Sequence, residues 1–241
     1  MRSSHSVPRS ASIVAFYGSA EPAAFAEAVI GVQADLIARL GAAYLPRVVA
    51  STHSTLVGLE ALGPLEPSGE CGTQLRDTRR ADLAGFAGQL RRALHEAPVT
   101  VQFGGFPDRD LALSSRGRRL YERSVVADRD QVVLIGWPVD AEGHPLMVLD
   151  GVRRAAARYG IEHRYPLSQT AHDPDAHVVV GELVDAVPAD ELGAAMAATR
   201  AALAERPRRV PLRWDDLSLV VYDDTRLPLD TTVTVPWGDL R

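Results

Sequence analysis

Two short segments of the chain carry histidines at matching places in predicted strands. The first reads RVVASTHSTLVGLE, in which His53 is followed two positions later by Thr55. The second reads DAHVVVGELV, in which His177 is followed two positions later by Val179. Because side chains alternate across a strand, each histidine shares a face with the residue two positions on. If a pseudo-two-fold axis relates the two segments, both imidazoles face one cleft.

These paired motifs, together with the order of the predicted strands and helices, resemble the 2H phosphoesterase superfamily. This superfamily includes the 2′-5′ RNA ligase-like proteins and cyclic nucleotide phosphodiesterases. The motif HST at His53 matches the family pattern in full, whereas HVV at His177 departs from it at the hydroxyl position. The resemblance implies an α+β fold of two pseudo-symmetric lobes, with central sheets lining a cleft and helices outside.

Two histidines suit the in-line cleavage of a phosphodiester. One imidazole takes a proton from the attacking oxygen, and the other gives a proton to the leaving oxygen. A hydroxyl such as that of Thr55 can donate a hydrogen bond to a non-bridging oxygen. The resemblance implies hydrolysis of a cyclic phosphate or of a short RNA or nucleotide phosphodiester, with His53, Thr55 and His177 as catalytic residues and without a metal or other cofactor.

Val179 is the departure from this pattern, because a valine cannot donate a hydrogen bond. Losing one such donor costs about 2.7–4 kcal/mol of transition-state stabilisation in other enzymes. Three outcomes stay open. The chain is a slower enzyme, or another donor such as Ser168, Thr170 or an arginine replaces the hydroxyl, or the chain is a non-catalytic nucleotide- or RNA-end-binding protein.

Other residues are candidates for substrate binding. Aromatic side chains could stack on a base, and arginines near the two motifs could bind phosphate. These candidates are Tyr17, Phe103, Trp137, Tyr165, Arg47 and Arg164.

The segment HDPDAH, from His172 to His177, supports a different hypothesis. Its histidines and carboxylates are suitable ligands for zinc or manganese. However, Asp-Pro-Asp is also a common turn into a strand, and no second cluster of ligands accompanies it. A metal-dependent hydrolase that uses the His172–His177 cluster is therefore an alternative to the two-histidine enzyme.

The composition is that of a globular protein, and it excludes some kinds of chemistry. The 241 residues include 26 basic side chains, all of them arginine, and 31 acidic ones, so the net charge is −5. This mild acidity argues against a broad nucleic-acid or membrane surface. Because there is no lysine and no GxxxxGK[ST] loop, P-loop phosphate binding and nucleotidyl-lysine ligase chemistry are excluded.

Compartment and partners follow from the same inventory. Cys71 is the one cysteine, so no intramolecular disulfide can form and a reducing compartment is expected. No stretch of the sequence reaches the apolar length of a transmembrane helix. We therefore expect a cytoplasmic monomer that acts on a small nucleotide or RNA-end substrate, with neither a DNA duplex nor a membrane as partner.

Strands and helices alternate in two similar halves of the chain. The order strand, helix, strand, helix, strand occurs twice, and no long Gly/Ser linker separates the halves. The predicted helices cover 21–40, 82–96, 146–159 and 189–205. The predicted strands cover 12–18, 47–60, 99–106, 131–139, 176–187 and 231–235, with one or two further strands over 210–222 that include 217–222.

One bilobal domain is the organisation that this order favours. We expect residues 11–241 to form that domain, with lobe-like halves over roughly 11–110 and 111–241, and residues 1–10 to be a disordered tail.

Overall fold

The computed structural model describes residues 10–18, 21–59, 81–161 and 172–240. In chain order, the strands and helices of these residues are β1 (Ser10–Ala15), α1 (Ala23–Leu40), β2 (Tyr44–Pro46), β3 (Ser54–Gly58), α2 (Leu83–Glu96), β4 (Val99–Phe103), α3 (Leu120–Arg123), β5 (Val125–Asp128), β6 (Gln131–Val139), α4 (Val148–Ala156), β7 (Ala176–Leu183), α5 (Ala189–Glu205), β8 (Arg208–Leu212), β9 (Leu217–Tyr222) and β10 (Val233–Val235).

Several sequence predictions fall outside the described residues. They concern the N-terminal tail and the following residues: Cys71, Arg164, Tyr165, Ser168 and Thr170.

The long helices lie where the apolar spacing predicts them. In α1, the buried positions include Phe25, Val29, Val32 and Leu36, which recur every three or four residues and so form one face. The helix ends at Gly41, whose φ of 53° is conformationally easy for glycine. The α+β class is confirmed by these helices and by the sheet on which they pack.

The ten described strands form one antiparallel sheet. Its order is β10-β9-β1-β3-β7-β6-β4-β8, while β2 pairs with β7 and β5 pairs with β6. The two motif strands, β3 and β7, are therefore neighbours at the middle of the sheet. Sequence analysis missed β2 and β5, which are short and lie next to turns.

The two faces of the sheet have different coverings. Along β6, Val132 and Leu134 join the main core beneath the helices, whereas Val133, Ile135 and Trp137 form a separate apolar cluster on the other face. This alternation is the period-2 pattern of a strand whose two faces are both buried. The helices therefore cover one face, which leaves the other to form the cleft.

On the cleft face, two apolar clusters lie on either side of the motif strands. The first is the cluster on the β6 side, to which Val179 also packs. The second, on the β1 and β9 side, contains Val14, Tyr17, Val220 and Tyr222. The motif side chains thus lie between two packed regions that support them.

Strands exchange between the two halves of the chain. β4, from the first half, pairs with β6 and β8, whereas β9 and β10, from the second half, extend the sheet beyond β1. The two sides of the sheet are therefore not the sequence segments 11–110 and 111–241, because the order of elements does not determine which strands pair.

None of the described helices combines the length and the apolar character that a membrane-spanning helix needs.

Candidate active site

The pairing of β3 with β7 brings the two motifs together. The strands pair antiparallel, with Ser54 opposite Val178. One step along this register, Thr55 lies next to His177 and His53 lies next to Val179 on one face of the sheet. The two histidines thus take diagonal positions, which in an antiparallel pair are about 7–8 Å apart. His53 itself comes immediately before β3, so its prediction as a residue inside the strand was wrong by one position.

A single pocket receives these side chains. It is a cavity of about 480 Å³, and its lining includes His53, Thr55, His177, Val179 and Arg47. Both histidines are partly exposed, as is Thr55. The two motifs that the sequence predicts to face one cleft therefore line one pocket.

The backbone fixes the orientation of the His53 ring. Its Nδ1 lies 3.1 Å from the carbonyl oxygen of Ser51. Because a carbonyl only accepts, Nδ1 carries the proton and Nε2 of the neutral ring is left as an acceptor. Burial lowers the pKa of His53 to about 4, and the Arg47 guanidinium acts in the same direction, while the hydrogen bond to Ser51 opposes both.

His177 lies in a different electrostatic environment. Burial lowers the pKa of His177 to about 4, against the opposing effect of the Asp175 carboxylate. The guanidinium groups of Arg116 and Arg123 lower this pKa further, while Asp173 raises it. The charged group that acts most strongly on His177 is thus a carboxylate, whereas the one that acts most strongly on His53 is a cation.

Asp175 is held in place by a buried network that sequence analysis missed. Its carboxylate accepts hydrogen bonds from Ser115 Oγ (2.8 Å), Trp137 Nε1 (2.8 Å) and Arg123 Nη2 (3.2 Å). All four residues are buried. Since Asp175 lies two residues before His177 and also lines the pocket, this network fixes the charge beside that imidazole.

Arg153 joins the two motif strands from the helix side. It extends from α4, is buried, and donates to the carbonyl oxygens of Leu56 (3.0 Å) and Thr55 (3.1 Å) in β3. It also donates to the carbonyl oxygens of Asp173 and Asp175 (2.9 Å), just before β7. One guanidinium therefore satisfies backbone acceptors of both segments next to their motifs.

Two of the aromatic candidates are not available for substrate stacking, contrary to the sequence prediction. Phe103 is fully buried beneath the helices, 5.9 Å from the ring of Phe25. Trp137 is on the cleft face but is fully buried, with its ring edge-on to Phe106 and its indole N–H committed to Asp175. Strand alternation alone cannot separate a covered cleft face from an open one.

The other described candidates lie at the site. Tyr17 is buried beside His53, with the rings edge-on and their centroids 6.2 Å apart, and its hydroxyl donates to the carbonyl oxygen of Leu227. It supports the imidazole and offers little open face to a ligand. Arg47 has a mostly buried side chain, 3.9 Å from Glu182, and it lines the pocket.

The segment from His172 to His177 does not form the metal cluster of the alternative hypothesis. Asp173 pairs with Arg153 at 3.4 Å, Asp175 binds the network described above, and His172 contacts Asp150. Within the described ranges, the three-ligand group whose atoms do come together is Asp140, Glu142 and His144, at an exposed turn. Arginine, serine and tryptophan side chains thus take up the carboxylates that a metal would need.

Comparisons with known proteins give structural likenesses alone. A scan against protein-family models finds no match, and a search of curated proteins finds none either. Among solved structures, the chain is similar to TT0787 of Thermus thermophilus, with 14% sequence identity, a TM-score of 0.41 and coverage of 94% of this chain and 93% of that one. It is also similar to Usb1 of Kluyveromyces marxianus, with 14% identity, a TM-score of 0.40 and coverage of 95% and 98%. At such TM-scores, these likenesses assign neither a substrate nor a mechanism to the chain.

Proposed function

We propose that this chain is a metal-independent phosphodiesterase that hydrolyses a cyclic phosphate or a short RNA or nucleotide phosphodiester. The observation that carries this proposal is the shared pocket, in which His53 and His177 take diagonal positions on adjacent strands. Two imidazoles at that spacing can reach the attacking and the leaving oxygen of one phosphate. The hydroxyl of Thr55, next to His177 in the register, serves as a donor to a non-bridging oxygen.

The surroundings of the histidines favour one division of roles. We assign His53 as the general base, because its Nδ1–H is committed to Ser51 and its Nε2 is left as an acceptor. His177 is assigned as the general acid, because the carboxylate of Asp175 favours its protonated form. In this scheme, His53 takes a proton from water, the water oxygen attacks phosphorus, and His177 protonates the leaving oxygen.

Partners and location belong to the same proposal. Arg47 supplies a positive charge for the phosphate at the wall of the pocket. The substrate is a small nucleotide or an RNA end. A pocket of about 480 Å³ can hold part of such a substrate. We propose a cytoplasmic monomer, in keeping with the single cysteine.

Turnover of a panel of 2′,3′-cyclic nucleotides and 2′-5′ linked dinucleotides, with and without EDTA, tests the proposed function. We expect hydrolysis of at least one panel member at the same rate in EDTA. Activity that EDTA abolishes would contradict the metal-independent mechanism. Binding of a nucleotide without turnover would favour the non-catalytic alternative, which Val179 supports because it occupies the hydroxyl position without a donor.

The pH dependence of kcat/KM follows from the lowered pKa values. The competent form has His53 neutral and His177 protonated, and with a pKa of about 4 that form of His177 decreases tenfold for each pH unit above it. We therefore expect kcat/KM to fall about 100-fold from about pH 5 to about pH 7. Initial rates across this range, with circular dichroism to verify the fold, check the slope. A maximum near neutral pH would contradict the assignment.

The Val179→Thr variant tests the hydroxyl position of the second motif. Val179 is partly exposed at the pocket, so an added hydroxyl can meet water or a phosphate oxygen. We expect kcat to rise by up to about 100-fold, since one such donor is worth roughly that much in other enzymes. Turnover of the best panel substrate measures the effect.

Val178→Thr is the matched control, because Val178 is fully buried on the helix side of the same strand. There the hydroxyl has no room for water, so we expect a loss of about 1–3 kcal/mol in the free energy of unfolding. If Val179→Thr destabilised the protein as much as Val178→Thr, the placement of Val179 at the pocket would be contradicted.

A further inference from the structure

Strained backbone positions gather around the two-histidine pocket. Among the described residues, the non-glycine residues with a left-handed φ are Phe16, Arg116, Arg129 and Leu227. Three of them line the pocket, and the fourth precedes Tyr17, which packs on His53. Such conformations cost about 1–3 kcal/mol each and concentrate at functional sites.

The two arginines are the unusual members of this group. Arg116, with a φ of 50°, begins the two-residue turn Arg116-Gly117, which is closed by hydrogen bonds of 3.0 Å between the backbones of Ser115 and Arg118. Turns of this kind favour asparagine or glycine at that position, because those residues tolerate a positive φ. An arginine there has a stability cost that the turn itself does not require.

Arg129 repeats the arrangement at a second turn. It has a φ of 58° and lies between Asp128 and Gln131, which pair at the end of the β5–β6 hairpin. Asparagine or glycine would again suit the backbone better. Two separate turns thus place a strained arginine at the same pocket.

Neither arginine has a structural partner that would explain its presence. Both side chains are exposed, and within the described part of the chain no hydrogen bond or ion pair involves Arg116 or Arg129. The arginines beside the motifs differ in this respect, since Arg153 and Arg123 bind backbone carbonyls or Asp175. Arg116 and Arg129 therefore have guanidinium groups available for an anion.

The two arginines lie toward different ends of the pocket. The charge of Arg116 acts on His177, near the start of β7. Arg129 is two residues before Gln131, which is opposite Glu182 near the end of β7. The part of β6 that pairs with β7 runs from Gln131 to Gly136. Its five residue steps span roughly 16–17 Å of strand. This distance exceeds what a single phosphate between the histidines can occupy.

We propose that Arg116 and Arg129 bind phosphate groups of the substrate that flank the scissile phosphodiester, one arginine toward each end of the pocket. This inference rests on the proposed function, in which the scissile phosphate lies between His53 and His177. It makes the substrate a nucleotide with an additional phosphate, either a terminal 5′-phosphate or the flanking phosphodiester of an oligonucleotide. Planar guanidinium groups suit phosphate oxygens because they can donate two parallel hydrogen bonds.

Binding in EDTA tests this inference without any turnover. Calorimetry would compare a nucleoside 2′-phosphate with the corresponding 2′,5′-bisphosphate, and with a dinucleotide that ends in a 2′-phosphate. We expect the wild-type protein to bind at least one of the ligands with two phosphates about tenfold more tightly. Which of the two is preferred distinguishes a terminal phosphate from a flanking phosphodiester. Equal affinity for all three ligands would overturn the inference.

Asparagine variants locate the effect. We expect at least one of Arg116→Asn and Arg129→Asn to reduce the ratio of the two affinities, and the double variant to bring it close to one. The control is Arg118→Asn, which removes an exposed arginine from the same hairpin but outside the pocket lining, and it should keep the ratio. A ratio unchanged in the double variant would overturn the inference.

Thermal melting supplies an independent criterion. Because asparagine tolerates a positive φ, Arg116→Asn and Arg129→Asn should melt at the same temperature as the wild type or higher. Melting several degrees lower would show that these arginines serve the fold and would contradict the inference. If the phosphate preference is found but no panel substrate is hydrolysed, the second-phosphate site stands and the proposed hydrolysis fails.

Discussion

The His53→Ala and His177→Ala variants are each expected to lose about 10²–10⁴-fold in kcat toward the best cyclic nucleotide or dinucleotide substrate. Each variant removes one of the two proton-transfer groups at the pocket and leaves the other without a partner on the opposite side of the phosphate. Since the two groups act in the same step, the double variant should lose little more than the worse single variant. Initial rates in EDTA measure all three.

His95→Ala is the matched control, because His95 is an exposed histidine near the end of α2 and does not line the pocket. It should keep wild-type kcat. The melting temperature of each variant separates loss of chemistry from loss of fold. Because each substitution removes a largely buried imidazole, a modest change in melting temperature is compatible with an intact fold. A His53→Ala or His177→Ala variant that folds and retains full activity would contradict the acid/base assignment.

Replacement of Arg153 is expected to have the largest effect on stability. Arg153→Leu keeps an apolar stem but leaves the carbonyl oxygens of Leu56, Thr55, Asp173 and Asp175 without their donor. It also leaves the Asp173 carboxylate without its cation. Breaking a buried arrangement of this kind costs about 3–5 kcal/mol. For a chain of this size that corresponds to a melting temperature lower by about 10 °C.

Arg154→Leu provides the comparison, because Arg154 is the next residue of α4 and pairs with Asp150 near the surface. A partly exposed pair of this kind is worth about 1 kcal/mol or less. Arg153→Lys is a second test, since a single ammonium cannot span four carbonyls and should recover little of the lost stability. Equal melting temperatures for Arg153→Leu and Arg154→Leu would show that Arg153 does not hold the motif strands together.

Local periodicity explains what sequence analysis could predict. The helix stripe from Phe25 to Leu36 and the alternation around His53 and His177 are set by residues a few positions apart. Such patterns need no knowledge of which elements pack together. The similar positions of the two histidines also follow from local patterns, because each lies at the start of its own strand, His53 immediately before β3 and His177 as the second residue of β7.

Long-range pairing explains what the sequence did not reveal. Phe103 was assigned to the wrong face, because alternation gives two faces without telling which one the helices cover. The strand exchange involving β4 and β9 likewise depends on pairing between residues far apart. Element order is compatible with several pairings, so it could not predict this one.

Arg153 could have been found from one signal. It follows Leu149 by four positions and precedes Ala156 by three, so it lies on the buried stripe of α4. A charged residue at a core position of a helix needs partners, which directs attention to unpaired backbone groups nearby. Sequence analysis overlooked this signal, which belongs to Arg153 and not to Arg154, the next residue, whose side chain is partly exposed.

The proton affinities of the two histidines test the central claim, that one phosphate lies between both imidazoles, most directly. Nuclear magnetic resonance would follow the ring C–H signals of His53 and His177 during pH titrations in EDTA, with and without a nucleoside 2′-phosphate. We predict that both pKa values begin near 4 and that both rise when the ligand binds, because its negative charge favours each imidazolium. A ligand that binds and changes the pKa of one histidine or of neither would contradict the claim.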